Sequence, residues 1–332
     1  VIHDDAHEMT TPETIRAEQY LAPETLGQLA PFELRAKMIV EGVMSGMHRS
    51  PYQGLAVEFA QHRQYVPGDS IRHLDWKVYG RSDKLYLKQY QQETNLDVMV
   101  LLDSSASMGY GSLEVKHGWG GTAASRGSRT WTKFDCATAI SAAIAYLCLS
   151  QQDRVGLAVY ADDLRVQLRR SSARDQWRTI VQTLSLQPVE REANLARCAD
   201  QILSKVTNRA LFFIVSDFLD DPVEVRAALA RFRHRNHDVV LVQVLDRQER
   251  EFTFDQAAPF DGLEGEERLQ VDPRALREAY LDGLRRLIES LTKSARAFGY
   301  DYTQLDSHES VGPALAKLLA RRNAAARRGK SS

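Results

Sequence analysis

Cysteine is scarce in this chain: three in 332 residues, with Cys136, Cys148 and Cys198 far apart and no C-x-x-C or His pair beside them. That spacing excludes a disulfide framework and a zinc site and fits a reducing compartment, so a cytoplasmic location is expected. An excess of charge is lacking too, since 43 Lys and Arg face 44 Asp and Glu. No global field is left to attract nucleic acid or an anionic membrane. Long apolar runs are absent as well. None approaches the roughly 18 to 20 residues of a membrane helix, and the acidic, His-containing stretch Val1–Met9 is unlike a signal peptide. Neither nucleic-acid binding nor membrane insertion is expected. Also missing are a G-x-S-x-G elbow, a Walker A loop and an H-E-x-x-H pair, which removes the commonest signatures of serine hydrolases, nucleotide hydrolases and zinc proteases.

What is present suits a globular protein with one large α/β domain and a smaller one. Residues 1–45 read as a helical lead-in, because Leu26, Leu29, Leu34, Met38 and Ile39 recur at mostly helical intervals. Residues 46–95 form short pieces punctuated by Gly54, Pro67-Gly68 and Gly80, which predicts a small β-rich subdomain. From 96 to 322 the pattern is regular. Near-continuous apolar runs at 98–102, 155–160, 211–215 and 239–245 are separated by stretches long enough for crossover helices, as in buried parallel strands. Phe134, Ala137, Ile140, Ile144 and Leu147 make one apolar helical stripe. Asp272-Pro273 opens a further helix; 300–305 reads as a last strand and 311–319 as a last helix. The fold class expected is α/β, a doubly wound, mostly parallel sheet with its ligand site at the carboxyl ends of the strands. Residues 323–332 are expected to be a basic, flexible tail. Within the domain, the Gly- and Ser-rich segment 109–129 is expected to bury too little to stay ordered.

The chemistry concentrates where the first apolar run ends. Asp103, Ser105 and Ser107 follow it in a D-x-S-x-S pattern, and a tight loop can aim a carboxylate and two hydroxyls at one hard cation. The pattern is similar to the metal-ion-dependent adhesion site of von Willebrand factor A domains. A polar turn is the plainer alternative, since Asp and Ser also serve backbone hydrogen bonds there. The third run ends Ser216-Asp217 with the same grammar. On neighbouring strands Asp217 and Asp103 would repel each other without a cation, which argues for a metal; Asp217 capping the helix near Pro222 is the other option.

A second motif precedes the sheet. It runs Gly46-x-His48-x-Ser50, then Arg63-x-Tyr65-x-x-Gly68-Asp69-x-x-Arg72-x-x-Asp75-Trp76. Arginines hold carboxylates bidentately and Trp76 can shield the pairs, so Arg63, Asp69, Arg72, Asp75 and Trp76 are assigned a structural rather than a catalytic role.

Together with Met108, Lys133, Asp153-Arg154-Val155-Gly156 and Val271-Asp272-Pro273, these motifs resemble the domain-of-unknown-function family 58 over roughly residues 40 to 322. Its members carry a von Willebrand factor A-like domain and are often encoded beside MoxR-type AAA+ ATPases. The resemblance implies a Rossmann-like domain binding Mg²⁺, or Mn²⁺ or Ca²⁺, through Asp103, Ser105 and Ser107, with Asp217 reaching the ion directly or through water. Asn194 stands where such sites take a further Thr. It also implies a partner, a MoxR-type AAA+ ATPase or its protein client, supplying an acidic residue to the ion. Many relatives carry two membrane helices ahead of the G-x-H-x-S motif, whereas only the helical lead-in precedes it here.

The function expected is therefore a non-enzymatic, metal-dependent interaction module. A Mg²⁺-dependent phosphatase or other hydrolase using Asp103 is the alternative, weakened because Ser105 stands where such phosphatases place a second acid. An empty structural scaffold is the third possibility.

Overall fold

The computed structural model describes residues 62–66, 76–82, 84–88, 96–115, 122, 125, 129–254, 259–260, 269–270 and 273–312. By packing, residues 50–95 form one unit and the rest of the chain another. In the smaller unit, β1 (His62–Gln64) pairs antiparallel with β2 (Tyr86–Lys88), and α1 (Trp76–Ser82) lies between them in sequence. Asp69, Arg72 and Asp75, the side chains of Arg63 and Trp76, the helical lead-in and the basic tail lie outside the described residues.

The larger unit is built on one sheet. Its strands are β3 (Asp97–Asp103), β6 (Arg154–Tyr160), β7 (Leu164–Ser171), β8 (Leu211–Ser216), β9 (Asp238–Leu245) and β12 (Asp301–Asp306), in the order β12-β9-β8-β3-β6-β7. All neighbours run parallel except β7, which returns antiparallel on the edge. This is the doubly wound α/β fold expected. The connections between strands carry α2 (Lys133–Ser150), α3 (Gln176–Leu186), α4 (Leu195–Ser204), α5 (Pro222–His234), α6 (Arg247–Glu251) and α7 (Pro273–Phe298). Two-residue strand pairs, β4 (Leu113–Glu114) with β5 (Thr130–Trp131) and β10 (Pro259–Phe260) with β11 (Leu269–Gln270), lie outside the sheet.

Two cores follow from the strand period of two. Val98, Val100 and Leu102 face α2 and α3, while Met99 and Leu101 face α4, α5 and α7. Burial on both faces is why β3, β8 and β9 read as near-continuous apolar runs, β9 being interrupted only at Gln243. Helix α2 is central to the unit: Thr132 and Asp135 form a capping box at its start, and nearly every residue from Lys133 to Cys148 is buried. Contrary to the expectation that no such stretch exists, among the described residues it is the helix long and apolar enough to cross a membrane, and 78% of it is buried inside the protein. Gly156 is required by close approach, since a Cβ there would sit 2.8 Å from the Leu168 carbonyl oxygen of β7.

The expectation for 109–129 is overturned at its described residues. Leu113–Glu114 within it form β4, which pairs with β5 just beyond its end, and Gly111 packs so closely on the Trp131 carbonyl that no Cβ fits. Thr122 and Ser125 are buried, their hydroxyls donating to Asp135 at 3.1 and 2.8 Å. Composition alone predicted disorder; a buried carboxylate supplies the hydrogen bonds that hold these residues instead.

Candidate metal centre

Chain topology selects the place. From β3 the chain turns to β6 and β7, then crosses to β8, β9 and β12 on the other side. The carboxyl ends of β3 and β8 therefore flank the switch point, where doubly wound sheets open a crevice. Asp103 closes β3 there, and the register places Leu102 opposite Val215, just before Ser216.

Asp103 is fully buried. One carboxylate oxygen accepts the Ser105 N–H at 2.8 Å and the other accepts the Ser216 hydroxyl at 2.6 Å. The hydroxyls of Ser105 and Ser107 lie 3.1 Å apart, so three oxygen side chains of the predicted loop do converge. Ser216, in turn, accepts the Phe218 N–H at 2.9 Å. Among the described residues no Lys, Arg or His pairs with Asp103. Burial first, and the charge of Asp217 second, push its carboxyl up to about 7, against the pull of the Ser216 and Ser105 hydrogen bonds. Ser104 turns away, both its N–H and its hydroxyl donating to the Tyr160 carbonyl. The phenol of Tyr160 is also fully buried, and burial followed by the Asp103 charge raises it well above its ordinary range.

A neighbouring loop clamps this arrangement. Ala106 N–H donates to the Arg191 carbonyl at 2.7 Å, and Glu190 N–H to the Ser104 carbonyl at 3.1 Å. Arg191 holds φ at 69°, a left-handed conformation unusual for a non-glycine residue. Arg165 braces the same loop, donating to the Pro188 and Glu190 carbonyls at 3.1 and 2.8 Å. Asn194, the further ligand the resemblance implies, ends this loop as the cap of α4, its side-chain oxygen accepting the Arg197 N–H at 2.8 Å. That engagement, rather than ion binding, is the role its geometry displays.

The repulsion predicted between Asp217 and Asp103 is present, since the charge of Asp217 raises the Asp103 carboxyl, but a cation beside Asp217 already belongs to the chain: the Lys133 ammonium lies 2.8 Å from Asp217 and 2.6 Å from Glu249. Lys133 and Asp217 are 0% and 2% exposed. Burial alone would lower the Lys133 pKa, yet the two carboxylates and their hydrogen bonds outweigh it and raise it. The other Asp217 oxygen accepts the Leu219 N–H at 3.3 Å, and the cap of α5 is Asp221, not Asp217.

The row of strand-end acids continues beyond the residues singled out by sequence. Asp246 after β9 and Asp306 ending β12 are also buried. Asp246 accepts from Ser112, Ser307 and the Gln248 N–H, while Arg247 and Arg250 flank Asp306 at 3.3 and 3.0 Å. Strand-final Asp recurring after apolar runs was the signal available for them. Ser112, His308 and Asp246 meet, but not as a hydrolytic triad. The serine at 2.9 Å and the carboxylate at 3.2 Å both face the same ring nitrogen, Nε2, so no proton path crosses the imidazole.

Asp103 and its hydroxyls fit a hard divalent ion better than a soft one. Among the described residues no group of three or more His, Cys, Asp or Glu is placed to hold a metal, so the donors on offer are one carboxylate and hydroxyl oxygens, a set that suits Mg²⁺ with waters completing its shell. Cys198 and Cys136 are buried thiols pushed up to about 12, chiefly by burial, and are poor metal ligands.

Comparison with known proteins identifies the family. The sequence matches the family described as Protein of unknown function DUF58 at residues 61–119 and 120–288. The uncharacterized protein Rv1480 of Mycobacterium tuberculosis is 26% identical over 227 residues, which is 68% of this chain and 66% of that protein. The chain thus spans just under two thirds of the length of such curated relatives. Among solved structures, the conserved hypothetical protein BatB from Bacteroides thetaiotaomicron aligns over 68% of this chain and 98% of its own, at 14% identity and a TM-score of 0.41. A von Willebrand factor type A protein from Catenulispora acidiphila aligns over 68% and 42%, at 11% identity and 0.39.

Proposed function

The chain belongs to the DUF58 family, and on that footing we propose that it is a non-enzymatic interaction module whose β3–β8 crevice binds one divalent cation, Mg²⁺ foremost, and presents it to an acidic residue of a protein partner. The observation that carries this is Asp103: a carboxylate with no exposure and no basic partner among the described residues, surrounded by hydroxyls. A buried carboxylate is stable as a charge only with a counter-charge. A cation would supply it, and the few charges on its donors would leave the ion able to accept a further carboxylate.

The partner proposed is a MoxR-type AAA+ ATPase or that ATPase's client, on the strength of the family resemblance. A hydrolase reading has less support, because position 105 holds Ser rather than a second acid and, among the described residues, Ser112, His308 and Asp246 do not form a working triad. The test is recovery of the ATPase on immobilised protein, with and without chelator and with Ser105→Ala. Chelation and the variant should each reduce recovery severalfold. Undiminished recovery in both would place the interface elsewhere.

A further inference from the structure

Lys133 holds a place that ion binding alone does not explain. It is the first residue of α2, and its ammonium is directed between Asp217 and Glu249, at 2.8 and 2.6 Å, with no exposure to water. Glu249 is itself fixed, its second oxygen accepting the Asp246 N–H at 2.9 Å and closing the capping box of α6. The lysine is therefore held by groups from two further elements, the end of β8 and the start of α6. For Asp217 it does what a metal would do, and it is covalently tethered.

We infer that Lys133 is a specificity-determining residue of the cation site. It keeps Asp217 as its own partner in the ion-bound protein too, so that the divalent ion meets Asp103 as its only carboxylate. This inference rests on the ion-binding reading proposed above. Its consequence is a matter of charge. An ion shared by Asp103 and Asp217 would be neutralised, whereas one held by Asp103 and the hydroxyls of Ser105 and Ser107 keeps a positive charge and favours an acidic ligand from outside. Lys133 thus sets the demand for a partner's carboxylate without touching the ion.

Titration of Mn²⁺ into wild type, Asp103→Asn and the double variant Lys133→Met/Asp217→Asn separates the possibilities. Removing lysine and acid together leaves no unpaired charge between them. The double variant should bind within about threefold of wild type, while Asp103→Asn should lose roughly tenfold or more. Equal loss in both would make Asp217 a ligand and overturn the inference while sparing the ion site. Absence of binding in the wild type would overturn the ion site and the inference with it. A second measurement needs no variant: the slowly exchanging Lys133 ammonium resonance, followed by nitrogen-15 NMR, should persist at saturating Mg²⁺. Its loss on adding Mg²⁺ would show Asp217 handed to the metal, against the inference.

Discussion

Asp103 and Asp217 end neighbouring parallel strands, are 0% and 2% exposed, and differ in what balances them. Asp217 has a lysine ammonium at 2.8 Å, itself shared with Glu249. Asp103 has a serine hydroxyl and a backbone N–H. Position in the sheet is thus a poor guide to the state of a strand-end carboxylate. The counter-charge decides: the balanced acid belongs to the framework, and the unbalanced one is where a cation gains most.

The contrast is broken most severely by removing the lysine. Lys133→Met alone should destabilise the protein by about 3 to 5 kcal/mol, because Asp217 is left buried without its partner. Thermal unfolding checks this. A melting temperature equal to that of wild type would mean that Asp217 relaxes to solvent and that the two acids are less different than their geometry indicates.

A smaller and pH-dependent effect belongs to Asp103. Its carboxyl, raised to about 7 in the folded chain from 3.8, holds a proton at pH values where the unfolded chain has lost it. Its contribution to stability is therefore complete below pH 4 and is lost as pH rises to 7, with a slope of at most about 1.4 kcal/mol per pH unit. Asp103→Asn should remove this slope from the difference between denaturation curves. Saturating Mg²⁺ should counteract it in the wild type, since the ion binds the ionised form. Identical pH profiles for wild type and Asp103→Asn would show that the acid is not unbalanced.

Which of these features the sequence revealed depends on the distance over which they are determined. The strands at 98–102, 211–215 and 239–245 were legible because burial on both faces writes a continuous apolar run. The Asp103, Ser105 and Ser107 cluster was legible because three donors within five residues must share one loop. Strand β7 was not, since it is a half-buried edge: Leu164, Val166 and Leu168 alternate with Arg165, Gln167 and Arg169 instead of forming the continuous apolar run that marks the buried strands. Nor was the Lys133 pairing, whose members lie 84 and 116 residues apart in the chain. In the sequence Lys133 stands only as one residue of the family pattern. Without its place beside Asp217, the two acids looked like a demand for metal that a side chain already meets in part.

Smaller effects sharpen the comparison from outside. Arg165→Ala removes two hydrogen bonds to the loop that clamps residues 104–106, and should cost roughly 1 to 2 kcal/mol while weakening Mn²⁺ binding by less than Asp103→Asn does. Titration and unfolding of the same variant would show whether the clamp serves the ion loop or the fold alone. Smallest of all should be Arg209→Ala, whose partner Asp238 is a surface acid: at 71% and 44% exposure the pair is screened, and its loss should shift stability by no more than about 1 kcal/mol. A larger shift would mean that exposed pairs in this protein carry weight the buried ones were thought to hold.

Calorimetric titration of Mg²⁺ into wild type and Asp103→Asn near pH 7.5, with both variants shown to be folded, bears most directly on Asp103 as the unbalanced acid. Wild type should bind one ion with a dissociation constant on the order of 10⁻³ M or tighter, and Asp103→Asn should show no saturable binding. No saturable binding in the wild type, or equal binding in the two proteins, would contradict the assignment of the β3–β8 crevice as a cation site.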